Sequence, residues 1–148
     1  MSFEIQFRTP SDDEITRQEC SGIIVLNDFR EIFVSSLTYW NLLDYQEHWN
    51  KSLERALQRE DSCLITSVYD PSMANFIVWW LLYSREDEIV IQNHLLFMDS
   101  LSKPFTPQNP YSFIPRYEME NDEGEQISEW KIRVDDIAAF FAQEKSKL

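Results

Sequence analysis

Glycine is scarce in this chain: Gly22 and Gly124 are its only two glycines among 148 residues. A loop that binds phosphate groups needs several closely spaced glycines, because side chains would keep the ligand away from the backbone. A phosphate-binding loop and a dinucleotide-binding motif are therefore excluded. Histidine and cysteine are equally scarce, with two of each, and neither occurs in the paired short spacing of a structural zinc site. We expect no metal and no cofactor.

The few residues suited to nucleophilic or acid–base chemistry are better explained as structural ones. Cys63 could be combined with His94 and Asp99, but the neighbouring sequence contains nothing that would activate the thiol. We expect His94 to be a hydrogen-bonded strand residue and His48 to face solvent from a helix. Cys20 and Cys63 are expected to be reduced and partly buried. On these residues the chain is not an enzyme.

Positive charge is outnumbered two to one, with 13 Lys and Arg against 26 Asp and Glu, which gives a net charge of −13. A nucleic-acid ligand would be repelled by that charge, whereas a basic protein would be attracted and steered onto the chain. We therefore expect a basic protein partner and no direct contact with nucleic acid.

Long apolar segments are also lacking. The longest run, "FIVWWLLY" from Phe76 to Tyr83, is far shorter than the roughly 20 residues that a membrane-spanning helix needs. The N-terminal "MSFEIQFRTP" has no basic segment followed by an apolar one, so no secretory signal is visible. The expectation is a soluble, cytoplasmic protein without a membrane partner.

The N-terminal half alternates between strand and helix patterns. "FEIQFRT" has the period of a half-buried strand, and "PSDDEITRQE" predicts a polar loop or one helical turn. Two β-branched and aromatic runs around Asn27-Asp28 predict a hairpin. A helix is predicted from about Leu42 to Glu60, with Asn41 as its N-cap. The following "CLITSVYD" predicts a short strand, and Asp70-Pro71-Ser72 a turn.

Two long apolar runs dominate the second half. "NFIVWWLLY" and "EIVIQNHLLFM", joined by the polar turn "SRED", predict the central hairpin of an antiparallel sheet. Both faces of the first run should be covered. The proline-rich segment that follows is expected to be irregular, with "NPYSFIP" along a sheet edge. "ISEWKIRV" predicts a last strand.

The C-terminal "DDIAAFFAQEKSKL" closes the chain as a helix. Its terminal charges are placed as the helix dipole favours. The fold class is therefore α+β, with an antiparallel or mixed sheet of five or more strands and two main helices in a single domain, residues 1–148.

One acidic segment stands out, "YEMENDEGEQISEW" from Tyr117 to Trp130, because it contains no Lys or Arg. A solvated turn between two strands would explain it, since "NDEG" is ordinary turn sequence. A binding surface would explain it as well, because aromatic residues beside charge are favoured at interfaces. A second acidic patch, Asp12, Asp13 and Glu14, could meet the same basic partner. The acids of the main segment are Glu118, Glu120, Asp122, Glu123, Glu125 and Glu129.

Four motifs resemble those of immunity proteins from bacterial contact-dependent growth inhibition systems. They are "NFIVWW" and "QNHLLF" in the two apolar runs, "NPYSFIP" in the proline-rich segment and "GEQISEW" before the last strand. The likeness covers about Ala74 to Ile137, with a weaker one in the helix from Trp40 to Leu57. The motifs are structural in character, so they support membership of the family rather than any site.

The resemblance implies a cytoplasmic protein that binds the toxic C-terminal domain of its cognate effector. Many such toxins are nucleases with basic clefts, which an acidic protein could block. The acidic segment, with Trp130 or Tyr117 as an aromatic anchor, is then the candidate interface.

Two other functions remain open. A small-molecule-binding domain or enzyme could have a pocket lined by aromatic residues around Trp79 and Trp80. Such an enzyme predicts His94 or Cys63 in a cleft with a perturbed pKa. A regulatory adaptor could instead use its acidic face to meet a basic protein other than a toxin.

Overall fold

The computed structural model describes residues 2–69, 75–101 and 105–147. Within these ranges, antiparallel strands form a three-stranded sheet in the order β1-β2-β3 and a four-stranded sheet in the order β4-β5-β6-β7. The strands are β1 (Phe3–Phe7), β2 (Glu19–Leu26), β3 (Phe29–Ser36), β4 (Ser62–Ser67), β5 (Phe76–Arg85), β6 (Glu88–Phe97) and β7 (Glu129–Arg133), and the α-helices are α1 (Asp12–Thr16), α2 (Leu42–Leu57) and α3 (Val134–Lys145).

The α+β class with two main helices is confirmed by these elements. The strands divide between two sheets, and none of the described strand pairs is parallel. The predicted turn at Asp70-Pro71-Ser72 lies outside the described residues. None of the described helices has the length and apolar character needed to cross a membrane.

The three-stranded sheet contains the hairpin predicted around Asn27-Asp28. Leu26 pairs with Phe29 across a two-residue turn, and Asn27 adopts a φ of 60°, which asparagine tolerates better than most residues. The inner face of β1 packs on the helices. The ring centres of Phe3 and Phe140 are 5.5 Å apart, and those of Phe7 and Trp49 are 4.8 Å apart.

The predicted central hairpin is formed by β5 and β6, which pair along their full length from Phe76↔Phe97 to Arg85↔Glu88. The turn between the strands is Glu86-Asp87, shorter than the four residues expected, because Arg85 still belongs to the ladder. Trp79 and Trp80 lie in the core, each 1% exposed. The alternative of a pocket lined by these two residues is therefore not supported, since neither side chain is open to a ligand.

The proline-rich segment does not run extended along a sheet edge as expected. Pro110–Phe113 forms a 3-10 helix, for which proline near the first position is well suited. The Tyr111 and Ser52 hydroxyls lie 2.9 Å apart, which ties this helix to α2. Phe105 packs between Phe113 and Trp79, with ring centres 5.0 and 6.3 Å away. The segment thus covers part of the four-stranded sheet.

Helix α2 begins where the sequence predicts, and its side chains form hydrogen bonds with the backbone at the edge of β4. Asn41 and Asp44 form a capping box at its N-terminus. The Trp49 indole N–H donates to the Ile65 carbonyl at 2.8 Å, and the Ile65 N–H donates to His48 Nε2 at 2.8 Å. The last helical residue is Leu57, earlier than the predicted Glu60.

The prediction that His48 faces solvent is wrong: the side chain is only 8% exposed. The edge strand β4 presents a backbone N–H that needs an acceptor, and the neutral imidazole provides it. Burial lowers the pKa of His48 to about 3.

This burial makes the stability of the chain dependent on pH. The unfolded chain binds a proton on His48 below a pKa of about 6.5, whereas the folded chain keeps the ring neutral. The stabilisation is complete above about pH 6.5 and is lost as the pH falls, by about 1.4 kcal/mol per pH unit. We expect a loss of about 2 kcal/mol between pH 6.5 and 5 from this residue, measured by urea unfolding.

The matched controls are His48→Gln and His94→Gln. The first should flatten the pH dependence in this range, while the second should change it less, since His94 is not fully buried. An unchanged slope in His48→Gln would show that the folded chain does not hold this imidazole neutral.

Candidate protein-interaction surface

The acidic segment forms a small hairpin between the proline-rich segment and β7, which we call the acidic hairpin, residues 118–128. The Ile127 N–H donates to the Met119 carbonyl at 2.9 Å, and Glu120 pairs with Gln126. At the tip, Asn121 Oδ1 accepts from the N–H groups of two later residues, each at 2.9 Å. Gly124 has a φ of 79°, which favours glycine at this position. The expected turn therefore has a defined internal structure.

Most carboxylates of the acidic hairpin point into water. None of them lies within ion-pair distance of a Lys or Arg among the described residues. The negative charge of this surface is therefore not neutralised locally, and it is available to a partner. The exposed acids are Glu118, Glu120, Asp122, Glu123 and Glu125.

Glu129 differs from these acids because it is half-buried and hydrogen-bonded. Its carboxylate accepts from the Tyr117 hydroxyl at 2.8 Å and from Gln92 Nε2 at 3.1 Å. Gln92 Nε2 also donates to the Glu118 carbonyl at 2.9 Å, so one β6 side chain contacts both ends of the acidic hairpin. The hydrogen bond to Glu129 raises the pKa of Tyr117. The guanidinium of Arg85 lies 4.9 Å from the centre of the Tyr117 ring.

Trp130 packs between the two sheets. Its ring centre lies 4.4 Å from that of Phe29 and 5.7 Å from that of Trp80. The residue therefore fixes the base of the acidic hairpin, and only part of its surface is open to a partner.

The second acidic patch lies on α1, away from the acidic hairpin. Asp12 and Asp13 are exposed. Glu14 is engaged locally, because its carboxylate accepts from the backbone N–H of Ser11 at 3.2 Å and of Ser21 at 2.6 Å. These hydrogen bonds lower the pKa of Glu14.

The two acidic regions are attached to different parts of the fold. Helix α1 contacts the beginning of β2, while the acidic hairpin is attached to Gln92 of β6 and continues into β7. Strand β7 in turn accepts a hydrogen bond at 3.1 Å, at the Lys131 carbonyl, from Asn27, just after the end of β2. At about 3.3 Å per strand residue, this contact and that of α1 are roughly 20 Å apart along β2.

Cys63 and His94, the residues of the enzymatic alternative, have the environments of structural residues. Cys63 is a free thiol with no exposed surface, and burial raises its pKa. His94 is a hydrogen-bonded strand residue, as predicted, with Nε2 at 2.8 Å from Gln92 Oε1. Burial lowers the pKa of His94. No group of three or more His, Cys, Asp or Glu in the described ranges could hold a metal ion.

A surface cleft of about 390 Å³ lies between α2 and the proline-rich segment. No sequence signal could have revealed it, because its two walls are brought together only by the tertiary fold. Its lining includes Tyr39, Trp40, Glu47, His48 and Tyr111.

The comparisons with known proteins identify the family. The sequence matches the family described as "CdiI N-terminal domain" over residues 35–140. A curated relative, "Immunity protein CdiI" of Enterobacter cloacae subsp. cloacae, is 34% identical over 119 residues, which is 80% of this chain and 81% of the relative.

A solved structure agrees with this match. It is the "CdiA-CT/CdiI toxin and immunity complex from Enterobacter cloacae", with a TM-score of 0.85 and 29% identity over 97% of this chain and 99% of the matched one. The chain therefore belongs to the CdiI family of immunity proteins of contact-dependent growth inhibition, as the sequence motifs predicted.

The packing of Trp130 makes a prediction about stability. We expect Trp130→Ala to lower the free energy of unfolding by about 2 kcal/mol or more, because a large aromatic side chain between two sheets is lost. Urea unfolding measures the change. Met119→Ala is the control, since Met119 is 58% exposed on the acidic hairpin, and it should leave stability nearly unchanged. Equal stability of both variants would contradict this packing role.

Proposed function

We propose that this chain binds and neutralises the toxic C-terminal domain of its cognate contact-dependent growth inhibition effector. Membership of the CdiI family supports the proposal. A relative of the same fold is part of a CdiA-CT/CdiI toxin and immunity complex. The site of action is the cytoplasm, where an internalised toxin would meet its substrate.

One observation carries the choice of interface: the acidic hairpin presents exposed carboxylates that are not ion-paired with any described Lys or Arg. Because no described Lys or Arg neutralises these groups before binding, they retain their attraction for a basic protein. Opposite potentials on two proteins raise the association rate and fix their orientation. The proposed partner is therefore a basic toxin domain.

The proposed toxin activity is that of a nuclease. A nuclease must attract phosphate groups, so its substrate cleft is basic. The carboxylates of the acidic hairpin are spaced along one loop and would occupy such a cleft in place of phosphates. On this proposal the chain itself binds no nucleic acid and catalyses no reaction.

Further residues have distinct proposed roles. Asp12 and Asp13 on α1 are proposed as a second contact, since an interface of about 800 Å² per partner spans roughly 30 Å and would reach both acidic regions. Glu14 is occupied as a cap and contributes charge only. Tyr117, Glu129 and Trp130 hold the acidic hairpin in place and offer their remaining open surface at its base.

Charge reversal tests the proposed interface. We expect the triple variant Glu120→Lys, Asp122→Lys, Glu123→Lys to slow association with the toxin domain by about tenfold or more at low salt, because electrostatic steering is lost. The dependence of the association rate on salt should also become flatter. Surface plasmon resonance at two salt concentrations, with the toxic C-terminal domain encoded beside this gene, measures both quantities.

The matched control reverses Glu47, Glu54 and Asp87. These acids are exposed on α2 and in the turn between β5 and β6, and none is ion-paired with a described Lys or Arg, so the control changes the net charge equally without altering the acidic hairpin. It should slow association less. Equal rates for both triple variants would mean that only net charge matters and that the interface lies elsewhere. Absence of binding by the unaltered chain would refute the immunity function itself.

A further inference from the structure

The three-stranded sheet has an inner face that packs on the core and an outer face that does not. Side chains alternate between the two faces along each strand. Ile24 and Phe33 point inward and belong to the buried core. The outward positions of β2 and β3 carry apolar side chains as well. We call four of these residues the outer strip: Ile23, Val25, Ile32 and Val34.

The outer strip is apolar where the solvent-facing side of an antiparallel sheet is commonly polar. None of its four residues belongs to the buried core of the described chain. Ile32 lies opposite Ile23 in the register, and Val34 is the next outward residue of β3. Ile32 and Val34 are 53% and 50% exposed. The core does not use these side chains, and apolar residues that lie together on a surface are typical of an interaction site.

The outer strip lies between the two acidic regions. Val34 pairs with Ser21, whose backbone N–H donates to the Glu14 carboxylate of α1 at 2.6 Å. At the start of β3, Phe29 packs on Trp130 at the base of the acidic hairpin, with ring centres 4.4 Å apart. At about 3.3 Å per strand residue, Phe29 and Val34 are roughly 17 Å apart. A partner that contacts both acidic regions must therefore span the length of the outer strip.

Only the outer face of this sheet is open to such a partner. The inner face is covered by α2, since the ring centre of Trp49 lies 5.8 Å from that of Phe33. An interface of ordinary size buries about 800 Å² on each partner, enough to include the outer strip together with its two ends. Protein interfaces have an apolar centre inside a polar border, and this surface has the same arrangement.

The charges at the border define the partner that fits. Asp12 and Asp13 of α1 lie beyond one end of the outer strip, and the exposed carboxylates of the acidic hairpin lie beyond the other. Arg30 is the only Lys or Arg in β1, β2 and β3, so negative charge dominates the border. The complementary surface is apolar at its centre and carries Lys or Arg around it.

Other occupants fit this surface poorly. A second copy of this chain would bring together two molecules of net charge −13 and place their acidic regions near each other. A small molecule would need a concave pocket, whereas the outer strip is the open face of two paired strands. A basic protein domain is the occupant that matches both the shape and the charge.

We propose that the outer strip is the apolar centre of the contact with the toxin domain, with the acidic hairpin and α1 as its charged border. This inference rests on the proposed toxin binding and specifies the surface between the two acidic regions. Apolar side chains at the centre of an interface mainly set the dissociation rate, whereas charges at its border mainly set the association rate.

Substitution by threonine tests the proposal through this difference in rates. Threonine keeps the β-branched shape that suits a strand and removes apolar surface. Ile32→Thr and Val34→Thr should each speed dissociation from the toxin domain by about threefold or more, and the double variant by about tenfold or more. The association rate and its dependence on salt should be nearly unchanged. Surface plasmon resonance measures both rates.

Leu43→Thr is the matched control. Leu43 is 59% exposed and lies on α2, the helix that covers the inner face. This variant should dissociate from the toxin domain nearly as the unaltered chain does. Thermal unfolding of all variants checks that they fold.

Methyl NMR with a soluble paramagnetic agent tests the contact in the unaltered chain. The agent should broaden the methyl signals of Ile32 and Val34 in the free chain, and the toxin domain should shield them. The Leu43 methyl signals should be broadened in both states. Shielding of Ile32 that grows with the concentration of the free chain would assign the outer strip to self-association and overturn the proposal.

The outcomes separate this contact from the function. Tight toxin binding with Ile32 and Val34 still accessible to the agent, or equal dissociation rates for Ile32→Thr and Leu43→Thr, would overturn the inference and leave the immunity function standing. If the unaltered chain fails to bind the toxin domain, both proposals fall together.

Discussion

Both sheets depend on the hydrogen bonds and packing contacts made at the edge of β4. Tyr45, His48 and Trp49 of α2 supply the hydrogen bonds that a neighbouring strand would otherwise make. The same helix face packs on the first sheet through Trp49, whose ring centre lies 5.8 Å from that of Phe33. At the end of β4, the Ser35 hydroxyl donates to the Thr66 carbonyl and joins the sheets directly. One helix thus completes one sheet and covers the other.

This arrangement explains how the protein tolerates three of the polar aromatic side chains in its core. Buried indole, phenol and imidazole groups are costly unless they find partners. His48 and Trp49 find them on the backbone of β4, and Tyr45 finds them on the Val68 N–H just after β4 and on the Ser36 carbonyl of β3. The partners are backbone groups, so they remain in place whatever the neighbouring side chains are. The acidic hairpin is joined to the opposite side of the same sheet, where Gln92 contacts both of its ends.

The elements with local signals could be predicted from the sequence. Asn41 with Asp44 marked the start of α2, Asn27-Asp28 marked a hairpin, and the two apolar runs marked β5 and β6. The role of His48 could not be predicted, because it depends on the N–H of Ile65, far away in sequence. The inward orientation of Trp130 could not be predicted from the sequence for the same reason. Its partners, Phe29 and Trp80, come from different sheets.

The candidate interface was located by charge alone, and charge does not show which acids are engaged. Glu118 and Glu129 are equivalent in the sequence, yet one is exposed and the other accepts two hydrogen bonds. Glu14 and Asp13 differ in the same way, since only Glu14 caps backbone N–H groups of both α1 and β2. Only the contacts in the folded structure distinguish the side chains that hold a loop in place from those that the loop exposes to solvent.

No described Lys or Arg forms an ion pair with the exposed carboxylates of the acidic hairpin. This has an evolutionary consequence. The fold makes no use of these charges, since backbone bonds, Asn121 and Gln92 shape and attach the loop. Substitutions at Glu120, Asp122 or Glu123 are therefore nearly free of a penalty in stability. If the proposed interface is correct, selection on these positions acts through the partner, and a toxin and its inhibitor can diverge together through this loop while the two sheets keep their sequence.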